Sequence, residues 1–227
     1  MSNASPIVSA AAPHEAESSA AALDRFGFVT NRTKADLERF VALLKEWRRT
    51  HNLVSRATLD EVWTRHVADS LQLLDHVRDF RHWVDLGSGA GFPGLVVAIA
   101  CKHDPERRFT LVESNGKKAA FLRAAIRESG ARASVVAARI EASSEAVGPA
   151  DAVSARALAP LPLLLRLGVP YLRGGGVMLL LKGQDFVHEL QVASKSWDFD
   201  VLDFASVTDA GGRVLVIRHL RPKGPRP

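Results

Sequence analysis

The sequence predicts an α/β fold: a doubly wound, seven-stranded and mostly parallel sheet with an antiparallel C-terminal strand and an N-terminal helical appendage. From residue 83 onward, short apolar runs alternate with segments of helical periodicity, which indicates parallel strands covered by helices on both faces. The last two apolar runs are separated only by the glycine-rich residues 209–212. Parallel strands cannot be joined so briefly, so the last strand is expected to enter the sheet antiparallel to the others.

The composition is that of a globular protein with one large core. The chain has 227 residues, of which 47% are hydrophobic, and no apolar run reaches the roughly 20 residues of a membrane span. The N-terminus lacks the basic-then-apolar order of a secretory signal. The single cysteine, Cys101, excludes an internal disulfide and a cysteine zinc cluster. We therefore expect a cytoplasmic protein without membrane contact or bound metal, and a buried, unreactive thiol at Cys101.

Basic residues are distributed unevenly. The formal net charge is +5, residues 102–139 hold nine basic against four acidic side chains, and residues 213–227 hold five basic and none acidic. Such a balance indicates either a polyanionic partner such as a nucleic acid or a solvated, arginine-rich surface. Net charge alone does not distinguish the two, because it carries no specificity.

The N-terminal part of the chain is expected to be helical after a disordered tail. Residues 1–22 are rich in Ala and Ser and offer little to bury, which predicts the tail. Apolar residues recur at helical spacing over residues 33–50 and 59–76. These two helices define a helical segment at residues 23–80.

The main domain is predicted at residues 81–221, followed by a basic C-terminal tail at 222–227. Strands are predicted at residues 83–86, 109–113, 134–138, 152–155, 177–181, 201–207 and 213–220. Helices are predicted at residues 93–101, 117–129, 161–172 and 186–197. Gly130 is expected to form the C-terminal cap of the second of these helices.

A glycine-rich loop between the first strand and the following helix predicts a nucleotide-like ligand. Residues 85–94 read D-L-G-S-G-A-G-F-P-G, and Gly89, Gly91 and Gly94 satisfy the dinucleotide pattern G-x-G-x-x-G. Glycines at this place let the backbone pass close to a ligand. Alone, the pattern fits a dinucleotide as well as S-adenosylmethionine (SAM).

Two carboxylates favour SAM. Asp85 ends the first strand directly before the loop, and Glu113 ends the second strand, where a carboxylate can accept hydrogen bonds from a ribose diol. A dinucleotide would bring a pyrophosphate, which favours a bare helix N-terminus and is repelled by an acid. SAM has no phosphate but carries an ammonium and a sulfonium, which an acid such as Asp85 attracts.

Further motifs accompany the glycine loop along the chain. They read W-R-R-T-H-N-L-V-S at 47–55, R-H-V-A-D-S-L at 65–71, V-D-L-G-S-G-A-G-F-P-G at 84–94, L-V-E-S-N-G-K-K-A-A-F-L-R at 111–123, A-R-I-E at 138–141, V-S-A-R-A at 153–157 and L-K-G at 181–183. With these motifs, residues 37–220 resemble the RsmG (GidB) family, bacterial methyltransferases that modify N7 of a guanine in small-subunit ribosomal RNA. The resemblance implies a Rossmann-like SAM-dependent methyltransferase, with SAM as cofactor and 16S ribosomal RNA or the small ribosomal subunit as partner.

The resemblance also implies site residues. The cofactor-binding positions, with Asp85 added from the argument above, are Asp85, Gly87, Gly89, Phe92, Glu113, Ile140, Glu141 and Arg156. The positions expected to hold the RNA are Asn52, His66, Lys117, Arg139, Arg156 and Lys182. For His66 an ion pair with Asp69, three residues later on the same helix, is an equally good interpretation. Guanine N7 has a free lone pair, so no dedicated catalytic base is expected, and Phe92 is a candidate for stacking on a base.

Three alternatives remain open from the sequence. The glycine pattern allows an NAD-dependent oxidoreductase. The basic surface allows an RNA-binding or assembly protein of the same fold without activity, although the intact glycines and Glu113 argue against it. A methyltransferase acting on another RNA or on a protein is the third, although no N-P-P-Y motif indicates an exocyclic nitrogen target. We expect a monomer.

Overall fold

A computed structural model describes residues 19–49, 53 and 61–224, and it has the predicted architecture. The strands are β1 His82–Leu86, β2 Arg108–Val112, β3 Ala133–Val136, β4 Ala150–Arg156, β5 Leu172–Lys182, β6 Trp197–Ala205 and β7 Arg213–Pro222. The α-helices are α1 Ser19–Leu23, α2 Asn31–Arg48, α3 Asp69–Leu71, α4 Gly94–Ala100, α5 Gly116–Ser129, α6 Ser144–Val147, α7 Leu161–Gly168 and α8 Phe186–Ala193.

The seven strands form one sheet in the order β3-β2-β1-β4-β5-β7-β6. Strands β1 to β5 pair in parallel, whereas β7 pairs antiparallel with both β5 and β6. The expected antiparallel strand is therefore confirmed, and it occupies an interior position between β5 and β6. The carboxyl ends of the parallel strands meet at one edge, where ligands bind in open α/β sheets.

The helical N-terminal segment packs into the core of the sheet. Leu37, Phe40 and Leu44 of α2 are fully buried in the same apolar cluster as Trp83 of β1 and Phe121 of α5. A second cluster on the other face of the sheet joins α7 and α8 to β4, β5 and β7. Helices α2, α4 and α5 thus cover one face, and the segment predicted as an appendage is part of the main core.

Several element boundaries differ from the prediction, three of them as follows. Helix α1 covers Ser19–Leu23, so helical structure begins before residue 23; residues 1–18 of the predicted tail lie outside the described residues. The second N-terminal helix is described from Val62 to Asp75 as consecutive π, α and 3-10 turns. The helix predicted to reach Trp197 ends at Ala193, because Trp197 pairs with Pro222 as the first residue of β6.

Two other expectations are confirmed. Gly130 caps α5 with a left-handed backbone (φ 66°) and donates its N–H to the Ile126 carbonyl. Cys101 is 8% exposed, and burial raises the pKa of its thiol, which leaves it protonated and unreactive. No helix within the described residues is long and apolar enough to cross a membrane.

Candidate active site

The glycine loop after β1 needs glycine for two different reasons. Gly87, Gly89 and Gly91 have φ values of +67°, +56° and +94°, which side chains rarely adopt. Gly94, at the start of α4, is helical, but a Cβ atom there would lie 2.4 Å from Cβ of Asp85. The loop is thus shaped by backbone conformation in its first half and by close packing at its end.

Asp85 lies beneath this loop and is completely buried. Its Oδ1 accepts a hydrogen bond of 2.6 Å from the Ser154 hydroxyl, which in turn accepts from the Trp83 indole N–H at 2.8 Å. Its Oδ2 has no hydrogen-bond partner among the described residues. Burial raises the pKa of Asp85 to about 6, although the Ser154 hydrogen bond opposes the rise. The carboxyl thus supports the loop from below and lines neither cavity described here, and its contact with a ligand stays a prediction.

Glu113 ties the loop to the end of β2. Its Oε2 accepts the Gly89 N–H at 2.8 Å, and its Oε1 accepts the Asn115 N–H at 2.7 Å. Asn115 in turn caps α5 by accepting from the N–H groups of Lys117 and Lys118. A carboxylate oxygen that accepts one hydrogen bond can accept a second. Glu113 therefore fixes the loop and keeps acceptor capacity for a diol.

A cavity of 390 Å³ opens over this loop; we call it the glycine-loop cavity. Six predicted cofactor positions line it: Gly87, Gly89, Glu113, Ile140, Glu141 and Arg156. Its apolar wall is formed by Leu158, Leu163 and Leu167. The volume falls within the range of about 300–1,000 Å³ typical of small-molecule sites.

The loop that carries Ile140 is held from below by Tyr171. The Tyr171 hydroxyl lies 2.5 Å from the Ile140 carbonyl oxygen and 2.7 Å from the Ser143 hydroxyl, and Tyr171 is completely buried. Ile140 itself is half-buried and Arg139 is exposed. The loop after β3 thus places the apolar side chain of Ile140 at the cavity and the cation of Arg139 at its rim.

The residues of the glycine-loop cavity fit SAM. A Cβ atom on Gly89 would meet nothing closer than 3.8 Å, so the loop leaves open space where a ligand can approach the backbone. Glu113 offers acceptors for a ribose diol, and the leucine wall offers an apolar surface for an adenine. The carboxylates of Glu113 and Glu141 suit the ammonium and sulfonium of SAM, and Lys118, Arg139 and Arg156 line the same cavity.

A second cavity of 340 Å³ lies beside the first; we call it the hairpin cavity, because the turn between β6 and β7 forms one side. Arg156 and Ala157 line both cavities. Ala157 has a φ of +49°, a left-handed conformation that is uncommon without glycine and clusters at functional sites. The end of β4 is thus the wall between two adjoining volumes.

Arg156 is held in this wall by the helical segment. Its guanidinium forms an ion pair with Asp69 at 3.2 Å, donates to the Arg65 carbonyl at 2.8 Å and contacts His66 Nδ1. Burial lowers the pKa of the guanidinium, whereas the Asp69 charge raises it. An arginine in a protein remains charged, so Arg156 presents a fixed cation between the cavities.

His66 and Phe92 are interior residues. Their rings stack at 4.8 Å, and both are less than a tenth exposed. Burial, aided by the Arg156 charge, lowers the pKa of His66 to about 3, so the imidazole is neutral. The structure pairs Asp69 with Arg156 and not with His66. Neither ring lines the glycine-loop cavity or the hairpin cavity. The RNA contact of His66 and the ligand contact and stacking of Phe92 stay predictions.

Asp69 also anchors the hairpin, a role that the sequence did not indicate. Its Oδ1 accepts from the hydroxyls of Ser206 at 3.2 Å and Thr208 at 3.1 Å. Gln72, one turn later, accepts from the Val207 N–H at 3.0 Å. No local pattern predicts these contacts, since the residues that make them are far apart in the chain.

The remaining predicted RNA-side residues occupy different places. Lys182 ends β5 at the hairpin cavity, where its ammonium pairs with Glu189 at 2.6 Å. Lys117 is exposed and outside both cavities, whereas the adjacent Lys118 lines the glycine-loop cavity. Asn52 lies outside the described residues.

One family model and two curated relatives similar to this chain carry the same name. A family model described as "rRNA small subunit methyltransferase G" (GidB) matches residues 33–220. A ribosomal RNA small subunit methyltransferase G from Cereibacter sphaeroides is 47% identical over 194 residues, covering 85% of this chain and 93% of that protein. One from Rhodopseudomonas palustris is 45% identical over 212 residues, covering 93% and 90%.

Solved structures show the same fold at low sequence identity. A structure described as cofactor-bound Rv0187 from MTB has a TM-score of 0.59 at 16% identity, covering 87% of this chain and 94% of that one. An O-methyltransferase from Bacillus cereus in complex with SAH has a TM-score of 0.56 at 14% identity, covering 86% and 94%. Both likenesses concern the fold, a Rossmann-like methyltransferase architecture.

Proposed function

This chain belongs to the GidB family, rRNA small subunit methyltransferase G, and we propose that it transfers a methyl group from SAM to N7 of a guanine in 16S ribosomal RNA. The observation that carries the proposal is the pair of adjoining cavities separated by Arg156 and Ala157. Methyl transfer needs a donor and an acceptor side by side. The two cavities provide one volume for each.

The chemistry asks the protein mainly to position its substrates. SAM supplies a methyl group on a sulfonium, already activated for transfer. Guanine N7 offers a free lone pair, so no side chain has to remove a proton before the methyl group is accepted. Holding two reactants in the productive geometry lowers a barrier by about 7–11 kcal/mol. Glu113 serves this purpose on the donor side, because it fixes the loop at Gly89 and holds acceptor capacity for the ribose.

The charges of the wall suit an acceptor that becomes positive. Methylation at N7 leaves a cationic purine, so an unpaired cation against the ring would oppose the reaction. Arg156 is paired with Asp69, and Lys182 with Glu189. Both cations are therefore balanced beside the hairpin cavity, while the exposed Arg139 at the rim of the other cavity is placed to contact RNA phosphates.

Methyl mapping tests this function. Labelled SAM is supplied with the protein to small-subunit particles from cells that lack it, and the labelled position on the RNA is mapped. We expect label on a single guanine, in a form that reports N7 methylation. Label found only on protein would overturn the proposal. A thermal-shift comparison adds a check on the ligand: SAM should raise the melting temperature and NAD should not.

We further propose that the protein acts as a monomer in the cytoplasm. The buried thiol of Cys101 fits a reducing compartment, and both cavities described above are lined by residues of a single chain. Light scattering of the purified protein measures its oligomeric state. A dimer whose dissociation abolishes methyl transfer would contradict it.

A further inference from the structure

The hairpin cavity has the size and position of a site for a single nucleobase. Its 340 Å³ lie within the range of about 300–1,000 Å³ found for small-molecule sites. Because it shares Arg156 and Ala157 with the glycine-loop cavity, a molecule bound in it lies directly beside a molecule bound in the other. Enzymes that modify a base take it out of the stack into such a pocket and read its Watson–Crick edge.

All but one of the carboxylates around the hairpin cavity take part in a hydrogen bond or an ion pair. Asp69 binds Arg156 at 3.2 Å, Glu189 binds Lys182 at 2.6 Å, and Asp209 accepts from the Gly211 N–H at 2.9 Å. Within the part of the chain that the structure describes, the carboxylate of Asp185 has no hydrogen bond or ion pair. It is exposed and lies in the loop that joins β5 to α8.

This free carboxylate matches a feature of guanine that the other RNA bases lack. Guanine carries two adjacent donors, N1–H and the exocyclic N2–H, on its Watson–Crick edge. A carboxylate accepts two parallel hydrogen bonds from such a pair. Adenine, cytosine and uracil each place an acceptor beside their donor, which a carboxylate repels. N7 lies on the opposite side of the purine and remains free when the Watson–Crick edge is held.

On the basis of the proposed function, we propose that the hairpin cavity receives the acceptor base and that Asp185 selects guanine by accepting its N1–H and N2–H. Asp185 is then a specificity-determining residue of the methyl transfer. The paired cations Arg156 and Lys182 form the cavity walls without competing for this carboxylate, because each already has its own acid.

The test replaces Asp185 by asparagine, which keeps the size but turns one acceptor oxygen into a donor facing guanine's donors. We expect kcat/KM for methyl transfer to small-subunit particles lacking the methyl group to fall about 10–100-fold, the range for one lost bidentate base contact. The SAM dissociation constant from calorimetry should stay at the wild-type value. Asp79→Asn is the matched control: Asp79 is exposed in the turn before β1, at the opposite edge of the sheet.

A competition assay reports the recognition itself. GMP should inhibit the wild-type enzyme more strongly than IMP, which lacks the exocyclic N2 amino group, and Asp185→Asn should lose this preference. Asp185→Glu keeps the carboxylate and should retain the preference for GMP, which covers the case that the asparagine variant does not fold.

Each negative outcome has a separate meaning. If Asp185→Asn methylates particles at the wild-type rate and still prefers GMP, the inference about Asp185 is overturned and the proposed function stands. Equal losses of SAM affinity and methyl transfer also overturn it, because the residue would then act on the wall that both cavities share. If the wild-type protein methylates no RNA, the proposed function itself fails.

Discussion

The glycine-loop cavity and the hairpin cavity adjoin each other, yet the chain assembles them from contacts of very different range. In the first, the hydrogen bond from Gly89 to Glu113 spans 24 residues of sequence. In the second, the ion pair of Asp69 with Arg156 spans 87 residues, and the hydrogen bond from Ser206 to Asp69 spans 137. The first cavity is lined by residues between 87 and 167, whereas the second combines residues 65–69 with residues 181–213.

The difference shows what the helical segment contributes. Asp69 and Gln72 hold Arg156 on one side and the β6–β7 turn on the other. The glycine-loop cavity therefore depends on the glycine loop and its neighbouring strands. The hairpin cavity depends also on the helical segment that precedes β1. Substitutions that alter only one of the two cavities test this difference.

The largest effect is expected from Gly94→Ala. The new Cβ would lie 2.4 Å from Cβ of the fully buried Asp85, and relieving such overpacking costs about 3 kcal/mol. SAM binding should be lost because the loop no longer has its geometry. Urea unfolding measures the loss of stability, and calorimetry measures the SAM affinity. Gly116→Ala is the control, since a Cβ there meets nothing within 4 Å at the start of α5. Equal stability of the two variants would contradict the packing argument.

Glu113→Ala is expected to weaken SAM binding about 30-fold. The substitution removes the acceptors for the Gly89 and Asn115 N–H groups, and a hydrogen bond to a charged group contributes about 2 kcal/mol. Isothermal calorimetry measures the change. Glu141→Ala, also at the cavity but on the following loop, should weaken binding less. Unchanged affinity in Glu113→Ala would refute its role.

Asp69→Asn tests the long-range cavity without touching the glycine loop. The loss of the charge weakens the contacts to Arg156, Ser206 and Thr208, at a cost of about 2 kcal/mol. We expect faster hydrogen exchange at the amides of residues 206–208 and reduced methyl transfer, with SAM affinity close to wild type. Asp75→Asn, an exposed site farther along the same segment, is the control. A fall in SAM affinity as large as the fall in transfer would remove the distinction between the cavities.

The smallest effects concern pH, and the two regions should respond with opposite signs. Asp85 has a raised pKa of about 6 against 3.8 when unfolded, so the folded state binds the extra proton and gains stability as pH falls below 6. His66 has a lowered pKa of about 3 against 6.5, so the unfolded state binds the extra proton and stability is lost as pH falls below 6.5. Between pH 7 and 5 these contributions are about +1 and −2 kcal/mol, so they cancel only in part.

Single variants separate the contributions of Asp85 and His66 to the pH dependence of the free energy of unfolding. Compared with wild type, Asp85→Asn should lose about 1 kcal/mol more of its free energy of unfolding from pH 7 to 5, because the stabilising proton uptake of Asp85 is gone. His66→Asn should lose about 2 kcal/mol less than wild type over the same interval, because the histidine no longer takes up a proton on unfolding. Urea unfolding at both pH values measures this, and parallel pH profiles of the two variants would contradict the assignments.

The parts of the site that the sequence predicted are those built by short-range signals. The glycine loop and Glu113 follow from strand ends and from spacing, whereas Ile140 was implied only by the family resemblance. The structure brings all of them to one cavity. Lys117 stays a prediction for the RNA side: it is exposed, whereas the adjacent Lys118 lines the glycine-loop cavity, because neighbouring residues on a helix point about 100° apart.

The rest depends on contacts that no local pattern contains. Asp85 and Gly87 lie two positions apart, yet one is buried under the loop and the other lines the cavity, because Gly94 packs against the Asp85 side chain. Trp197 fits the helical spacing before it but is drawn into β6 by its pairing with Pro222. The partners of Asp69 come from two other regions of the chain, and only the fold brings them together.

The interior place of β7 has a consequence for biosynthesis. Strands β1 to β5 and the glycine loop are synthesised before residues 206–222, and chains acquire structure from the N-terminus as translation proceeds. Since β6 reaches the sheet only through β7, the hairpin cavity stays open until the end of β7 has been translated. A nascent chain thus gains its cofactor half first and its capacity to act on a base last, which ties the onset of activity to completion of the sheet.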